Sequence, residues 1–282
     1  MKHLRLGNTE FNLMIAHFCE KNCNVNIQEI NYINNIKMRY VDWIYKTAGY
    51  YDKNIQIKNQ YTLVDFTDKL STFIEKMTNT LYNSHNVIVL DYVLDHTNHS
   101  SLNKYIPDFE KKFNMKLIPG CIGVRECIPF ILNKKVLVVS PFKELIDQQI
   151  TNISNIQPTL INSQFITYKF PYTFLNNGPN YDSFETLDII KNDIKENYKD
   201  FDVAILSCGC YGSFLVEMIS DEMKKDALYV GGQLPLVFGI ICKRDKWAIS
   251  ELYNNDTTYL INGIPDIYRP DGWERIEDGC YW

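Results

Sequence analysis

The stretch FDVAILSCGCYGSFLVEM, residues 201–218, sets two of the chain's 13 glycines, Gly209 and Gly212, where an apolar run stops and helical spacing begins. Glycine at such a junction can take a positive φ, and the first N–H groups of the helix that follows then face an anion such as phosphate. Tyr211, between the glycines, either stacks on a base or sugar or packs beneath the turn. Two other apolar runs end in a comparable way, at Ser140-Pro141-Phe142 and at Tyr229-Val230-Gly231-Gly232-Gln233. One such turn is as readily a tight strand-to-helix connection with no ligand. Three on the same edge of a parallel sheet favour a binding edge, because ligands of open parallel sheets lie beyond the carboxyl ends of the strands. The spacing is neither the GxGxxG dinucleotide fingerprint nor a GxxxxGK[ST] phosphate loop, which weighs against NAD chemistry and ATP hydrolysis.

Other reactive residues form weaker patterns. Asp95-His96-Thr97-Asn98-His99 offers two histidines and an aspartate but no nearby third and fourth ligand, so it reads as a solvated loop. Asp91 closes a short β-branched run and is either a ligand contact at the sheet edge or a satisfied structural carboxylate. There is no Gly-x-Ser-x-Gly elbow, and the eight cysteines include no CxxC pair, so reduced thiols without structural zinc are expected.

Positioning these residues requires elements that the hydrophobic periodicity outlines. Helices are expected over 9–20, with Thr9 as cap and Glu10 in the first turn, and over 36–50, 63–82 and 102–113. The segment around Leu4–Leu6 is short and apolar. Strands are expected over 87–90 and 116–118, and then strand and helix alternate: strands at 136–139, 164–168, 203–206 and 228–230, helices at 141–149, 182–198 and 211–224, with Pro141 in a first turn. That alternation predicts an α/β fold, a Rossmann-like and mostly parallel sheet with flanking helices. We expect a single domain, with a helix-rich part over 1–130, a Rossmann-like nucleotide-binding part over 131–245 and a turn-rich C-terminal wrap over 246–282.

Composition narrows the class. With 282 residues, 45% hydrophobic and 13% aromatic, the chain is long and apolar enough to bury a core without disulfide staples. A net charge of −5 argues against a phosphate-backbone binder, so no nucleic acid is expected as a partner. No apolar run reaches the roughly 18–20 residues that span a bilayer, and the N-terminus lacks a signal-peptide core, so a cytoplasmic location is expected.

Four blocks resemble one family. Arg5-Leu6-Gly7-Asn8-Thr9-Glu10-Phe11 resembles the N-terminal R-[FIL]-G-[DN]-x-E-[LF] motif of the GT-D-fold glycosyltransferases. KKVLVVSPFKELIDQQ, the segment from Ser207 to Ile240 and the ending Glu277-Asp278-Gly279-Cys280-Tyr281-Trp282 are similar to later blocks of that group. The resemblance implies a GT-D-type fold and transfer of a sugar from a nucleotide-sugar donor, a UDP-sugar, to a glycan or protein-linked acceptor. It also implies a divalent cation, Mn²⁺ or Mg²⁺. The family's Asp-x-Glu metal motif is matched by Asn8 and Glu10, and the amide at position 8 can ligate a hard cation but brings no negative charge. On this reading Asn8, Glu10 and Asp91 are the catalytic candidates. Arg5, Gly7, Ser140, Gly209, Tyr211, Gly212, Gly231, Gly232, Gln233 and Arg244 hold the nucleotide, and Glu277 is a further candidate base. Two alternatives stay open: a non-catalytic GT-D-like scaffold of glycan assembly, and another Rossmann-type nucleotide-dependent enzyme using NAD or S-adenosylmethionine.

Overall fold

A computed structural model describes residues 1–55, 65–89 and 102–282. The chain is α/β. Seven strands, β1 (Lys2–Leu6), β2 (Asn86–Val89), β3 (Leu117–Pro119), β4 (Lys135–Ser140), β5 (Gln164–Lys169), β6 (Val203–Leu206) and β7 (Asp226–Tyr229), form one sheet in the order 3-2-1-7-6-4-5. Every pairing within it is parallel. Leu4 and Leu6 belong to β1, so the short apolar segment at the N-terminus is a central strand, paired with β2 on one side and β7 on the other.

Strand alternation divides the core between two faces. Leu137, Val139, Ala204 and Leu206 pack on one side, and Val136, Val138, Val203 and Ile205 on the other. The first face is covered by α1 (Asn8–Asn22), α2 (Ile27–Lys46), α3 (Asp68–Asn79) and α4 (Ile106–Phe113), and the second by α5 (Val124–Ile131) and α6 (Lys143–Ile150). Burial on both faces is why β4 and β6 read as continuous apolar runs and not as alternating ones.

Several element boundaries differ from the sequence expectation, for local reasons. Helix α1 starts at Asn8 with Gly7 as its cap residue, so Thr9 lies inside the first turn and caps nothing. Helix α2 starts at Ile27 rather than 36, because Asn26 accepts from the Gln28 and Glu29 amides while Glu29 reaches back to the Asn26 amide. Pro141 precedes the first turn it was expected to occupy, since α6 begins at Lys143. The expected helix over 211–224 is a 3₁₀ turn (Gly209–Tyr211), a short α-helix (Gly212–Glu217) and a π-helical turn (Met218–Glu222) in succession. Helix α5, with Pro129 inside it, has no counterpart in the periodicity reading. Asp182 caps α7 (Ser183–Asn197) through the Phe184 and Glu185 amides. Asp91, the Asp95–His99 group and the start of the helix expected at 63 lie outside the described residues. Among the described residues no helix is long and apolar enough to cross a membrane.

Candidate functional site

The sheet order places β1 beside β7. From β1 the chain passes outward to β2, whereas β7 adjoins β6 on the opposite side, so the strand order, not the strand direction, reverses between β1 and β7. Such a switch point leaves a crevice beyond the strands' carboxyl ends. A cavity of about 440 Å³ lies there. The segments following β1, β4, β5, β6 and β7 all line it, through Gly7, Phe142, Tyr172, Gly209 and Gly231 among others.

Arg5 is the penultimate residue of β1. Leu4 and Leu6, on either side of it, are buried in one face of the core, so the Arg5 side chain leaves from the other. Its guanidinium crosses the β7 turn: a Cβ on Gly231, which has φ +73°, would fall 2.8 Å from Arg5 Nη1. Arg244 crosses the next residue in the same way, since a Cβ on Gly232 would fall 1.9 Å from Arg244 Nη2. The Arg244 guanidinium also stacks on Tyr281, its carbon 4.1 Å from the ring centroid. The two glycines therefore admit two arginines to the cavity wall.

Glu10 belongs to the first turn of α1, where a negative charge complements the helix dipole. Its carboxylate folds back over Gly7, at which a Cβ would sit 2.2 Å from Oε2. Burial pushes the Glu10 carboxyl above its usual range, and the nearby Glu277 pushes the same way; its own backbone N–H and the Arg5 charge act against them. A carboxyl whose pKa is higher in the folded than in the unfolded state destabilises the fold as pH rises past the unfolded value. Glu10→Gln is therefore expected to raise Tm at pH 7 in chelator-containing buffer, with the gain disappearing below about pH 4, as thermal denaturation across that range will show.

Asn8 lines the cavity, but its Oδ1 accepts from Asn12 Nδ2 at 2.7 Å and from the Tyr40 hydroxyl at 3.4 Å. The oxygen expected to serve a metal is thus already held by two protein donors.

Not every expected residue reaches the cavity. Ser140 is fully buried, and its hydroxyl accepts from the Phe142 amide at 3.2 Å; Pro141 and Phe142 form the wall instead. Tyr211 is fully buried as well, its hydroxyl donating to the Gly49 carbonyl at 3.1 Å and hydrogen-bonded to Ser183 Oγ at 2.7 Å. Of its two expected roles it has the packing one. Gly212 makes room for Tyr229, whose ring lies 2.5 Å from where a Cβ would be. Gln233 turns away toward Gly123 at the start of α5. The 207–212 turn is only partly free for an anion, because the N–H groups of Ser207, Cys210, Tyr211 and Gly212 all donate to protein carbonyls. Tyr211→Phe should lower stability by about 1–2 kcal/mol, the range for a buried hydrogen-bonded hydroxyl, and leave ligand affinity at the cavity unchanged. Denaturant midpoints and calorimetric titration measure the two effects separately.

Helix α2 and the loop after β5 supply residues that sequence reasoning missed. Arg39, Tyr40 and Trp43 reach the cavity from α2, and Trp43 stays 45% exposed at its rim. Phe170, Tyr172 and Phe174 line it after β5, with Tyr172 and Phe174 packed against Trp282. The β5 loop was open to discovery by the strand-end rule; nothing local marks the α2 residues. All eight cysteines are free, and burial holds the Cys208 and Cys210 thiols well above their ordinary range, so neither is an activated nucleophile.

No family model, curated protein or solved structure matches the chain. The reading of the site therefore rests on its own chemistry. It combines guanidinium groups, two carboxylates and an aromatic wall in a cavity of the size that small-molecule ligands occupy.

Proposed function

We propose that the chain is a glycosyltransferase of GT-D type that takes a sugar from a nucleotide-sugar donor, a UDP-sugar, to a glycan or protein-linked hydroxyl. The observation that carries this reading is the pair of arginines, Arg5 and Arg244, held against the Gly231-Gly232 turn at the sheet's switch point, with the Glu10 carboxylate lining the same cavity. Guanidinium groups at a strand-end crevice suit a diphosphate, and the aromatic wall suits a base or sugar face. Transfer requires stabilising the charge that builds on the leaving diphosphate, which the two arginines are placed to do.

The donor set fits a divalent cation shared with the substrate. Among the described residues no group of three or more His, Cys, Asp or Glu side chains is arranged to hold a metal. A hard cation bound through one carboxylate plus substrate phosphates is an ordinary arrangement, and Glu10 is the residue that would hold it. Bound there, Mn²⁺ or Mg²⁺ would neutralise part of the diphosphate charge. Asn8, its oxygen engaged by Asn12 and Tyr40, adds little. That same engagement favours, as the second reading, a non-catalytic scaffold that keeps the fold.

A thermal-shift panel of UDP, UDP-sugars, NAD and S-adenosylmethionine at millimolar concentration, with and without Mn²⁺, tests the reading. Saturation at 100 times Kd stabilises by about 2.7 kcal/mol, a shift of several degrees for a chain of this size. Stabilisation by UDP-sugars supports the proposal. Stabilisation by NAD or S-adenosylmethionine alone assigns another nucleotide enzyme, and no shift with any of them favours the scaffold.

A further inference from the structure

The backbone at the C-terminal end of the chain is left-handed over three consecutive residues. Glu277 has φ +47°, Asp278 +54° and Gly279 +68°. Glycine adopts this region freely, but glutamate and aspartate do so at an energetic penalty, and such conformations persist where surrounding structure over-determines them. Here the Gly279 amide donates to the Ile276 carbonyl and the Cys280 amide to that of Glu277. Lys243 Nζ donates to the Asp278 carbonyl at 3.0 Å, and the Arg244 amide donates to that of Cys280. A Cβ on Gly279 would collide with the Trp273 indole at 2.4 Å, so the turn is packed as well as hydrogen-bonded.

This turn delivers the Glu277 carboxylate to the cavity that Glu10 also lines. Glu277 Oε1 accepts from the Tyr281 hydroxyl at 3.3 Å, and Oε2 lies 3.5 Å from Cys280 Sγ. Both neighbours are uncharged, and among the described residues no cation forms an ion pair with Glu277. Arg244, which lines the same cavity, is stacked on Tyr281 and paired with Asp245. A carboxylate kept for structure would be expected to take such a cation. This one is oriented by a phenol, has no ion-pair partner among the described residues and is held by a strained turn.

We propose that Glu277 is the general base of the transfer, an assignment that rests on the glycosyltransferase reading above. The acceptor O–H gives its proton to the Glu277 carboxylate as its oxygen bonds to the anomeric carbon of the donor. The bond from that carbon to the phosphate oxygen breaks, and its electron pair leaves with the nucleoside diphosphate. Glu277 then returns the proton to water. The displacement is single, so the anomeric configuration inverts.

The experiment compares Glu277→Gln and Glu277→Gly with wild type in a transfer assay using whichever UDP-sugar the thermal-shift panel selects. Glu277→Gln is expected to lose 10²- to 10⁴-fold in kcat, the usual share of a general base, while the Kd for UDP stays within about twofold. Glu277→Gly removes the left-handed strain, so its Tm is expected to equal or exceed that of wild type, and added formate is expected to restore part of its turnover. Retention of kcat within about threefold in Glu277→Gln overturns the assignment. So does a parallel loss of UDP binding, or a marked fall in Tm in Glu277→Gly, either of which marks a structural residue. A wild type that binds UDP-sugars and transfers with retention overturns the base role while leaving the donor reading intact. A wild type that binds no nucleotide sugar overturns both.

Discussion

Arg5→Ala is expected to weaken binding of UDP by about 10- to 100-fold while leaving Tm nearly unchanged. Arg5 sits at the end of the central strand with its guanidinium against Gly231, and among the described residues it has no ion pair whose loss would unsettle the fold. Hydrogen bonds to a charged group are worth about 1.5–3 kcal/mol, and 1.4 kcal/mol is tenfold in affinity. Arg5→Lys should recover only part of the loss, because an ammonium cannot reproduce the planar fork that matches phosphate oxygens. Removing Arg5 also takes away a charge that holds the Glu10 carboxyl down, so Glu10 becomes harder to ionise in the variant. Calorimetric titration with UDP gives the affinity and a melting curve the stability. An unchanged Kd would remove Arg5 from the proposed nucleotide site.

Gly209→Ala is expected to be among the most destabilising single substitutions in the cavity wall. Gly209 has φ +54°, and a Cβ there would lie 2.3 Å from the backbone oxygen of Ala48. That oxygen cannot rotate aside as a side chain can, and it already accepts the Cys210 amide at 2.8 Å. The left-handed conformation contributes about 1–2 kcal/mol and the overlap about 1–3 kcal/mol, so a loss of roughly 2–5 kcal/mol is expected. For a chain of this size that lowers Tm by roughly 5–15 °C. Asn, which tolerates positive φ, should be no better, because the clash with Ala48 persists. Melting temperatures of Gly209→Ala and Gly209→Asn check this directly, and a fall under 2 °C in both would show that the Ala48 contact yields.

The contrast between Gly209 and Gly212 shows how glycines that look alike in sequence separate in three dimensions. Both flank Tyr211, and phosphate-turn logic gave them one role. Gly209 meets the end of α2 and lines the cavity, whereas Gly212 faces the Tyr229 ring behind it. Tyr229 in turn donates its hydroxyl to the Gly209 carbonyl at 2.7 Å, so the ring that needs Gly212 also fixes the turn at Gly209. Ser140 shows the same limit: as a strand-end hydroxyl it is equally suited to a ligand or to the Phe142 amide, and the structure gives it the amide.

The strand–helix alternation from β4 to β7 was legible in the sequence, because β-branched runs and 3.6-residue periodicity are local properties of the chain. So was the convergence of the turns after these strands on one edge of the sheet, where the cavity lies. The sequence by itself also brought Arg5, Gly7, Glu10, Gly231, Gly232 and Arg244 to notice, and all of them line one cavity. Tertiary structure alone made the five residues of β1 the centre of the sheet, since a short strand acquires its place only from its partners β2 and β7. It alone turned Trp43 and Arg39 of α2 toward the cavity, and withheld Tyr211 and Ser140 from it. It alone brought the C-terminal turn carrying Glu277 to the cavity that Glu10 lines, in a backbone conformation that no local preference of glutamate would choose. The physical reason is the same in each case: periodicity specifies which residues an element buries, but the direction of a side chain at a strand end is set by atoms contributed from distant parts of the chain.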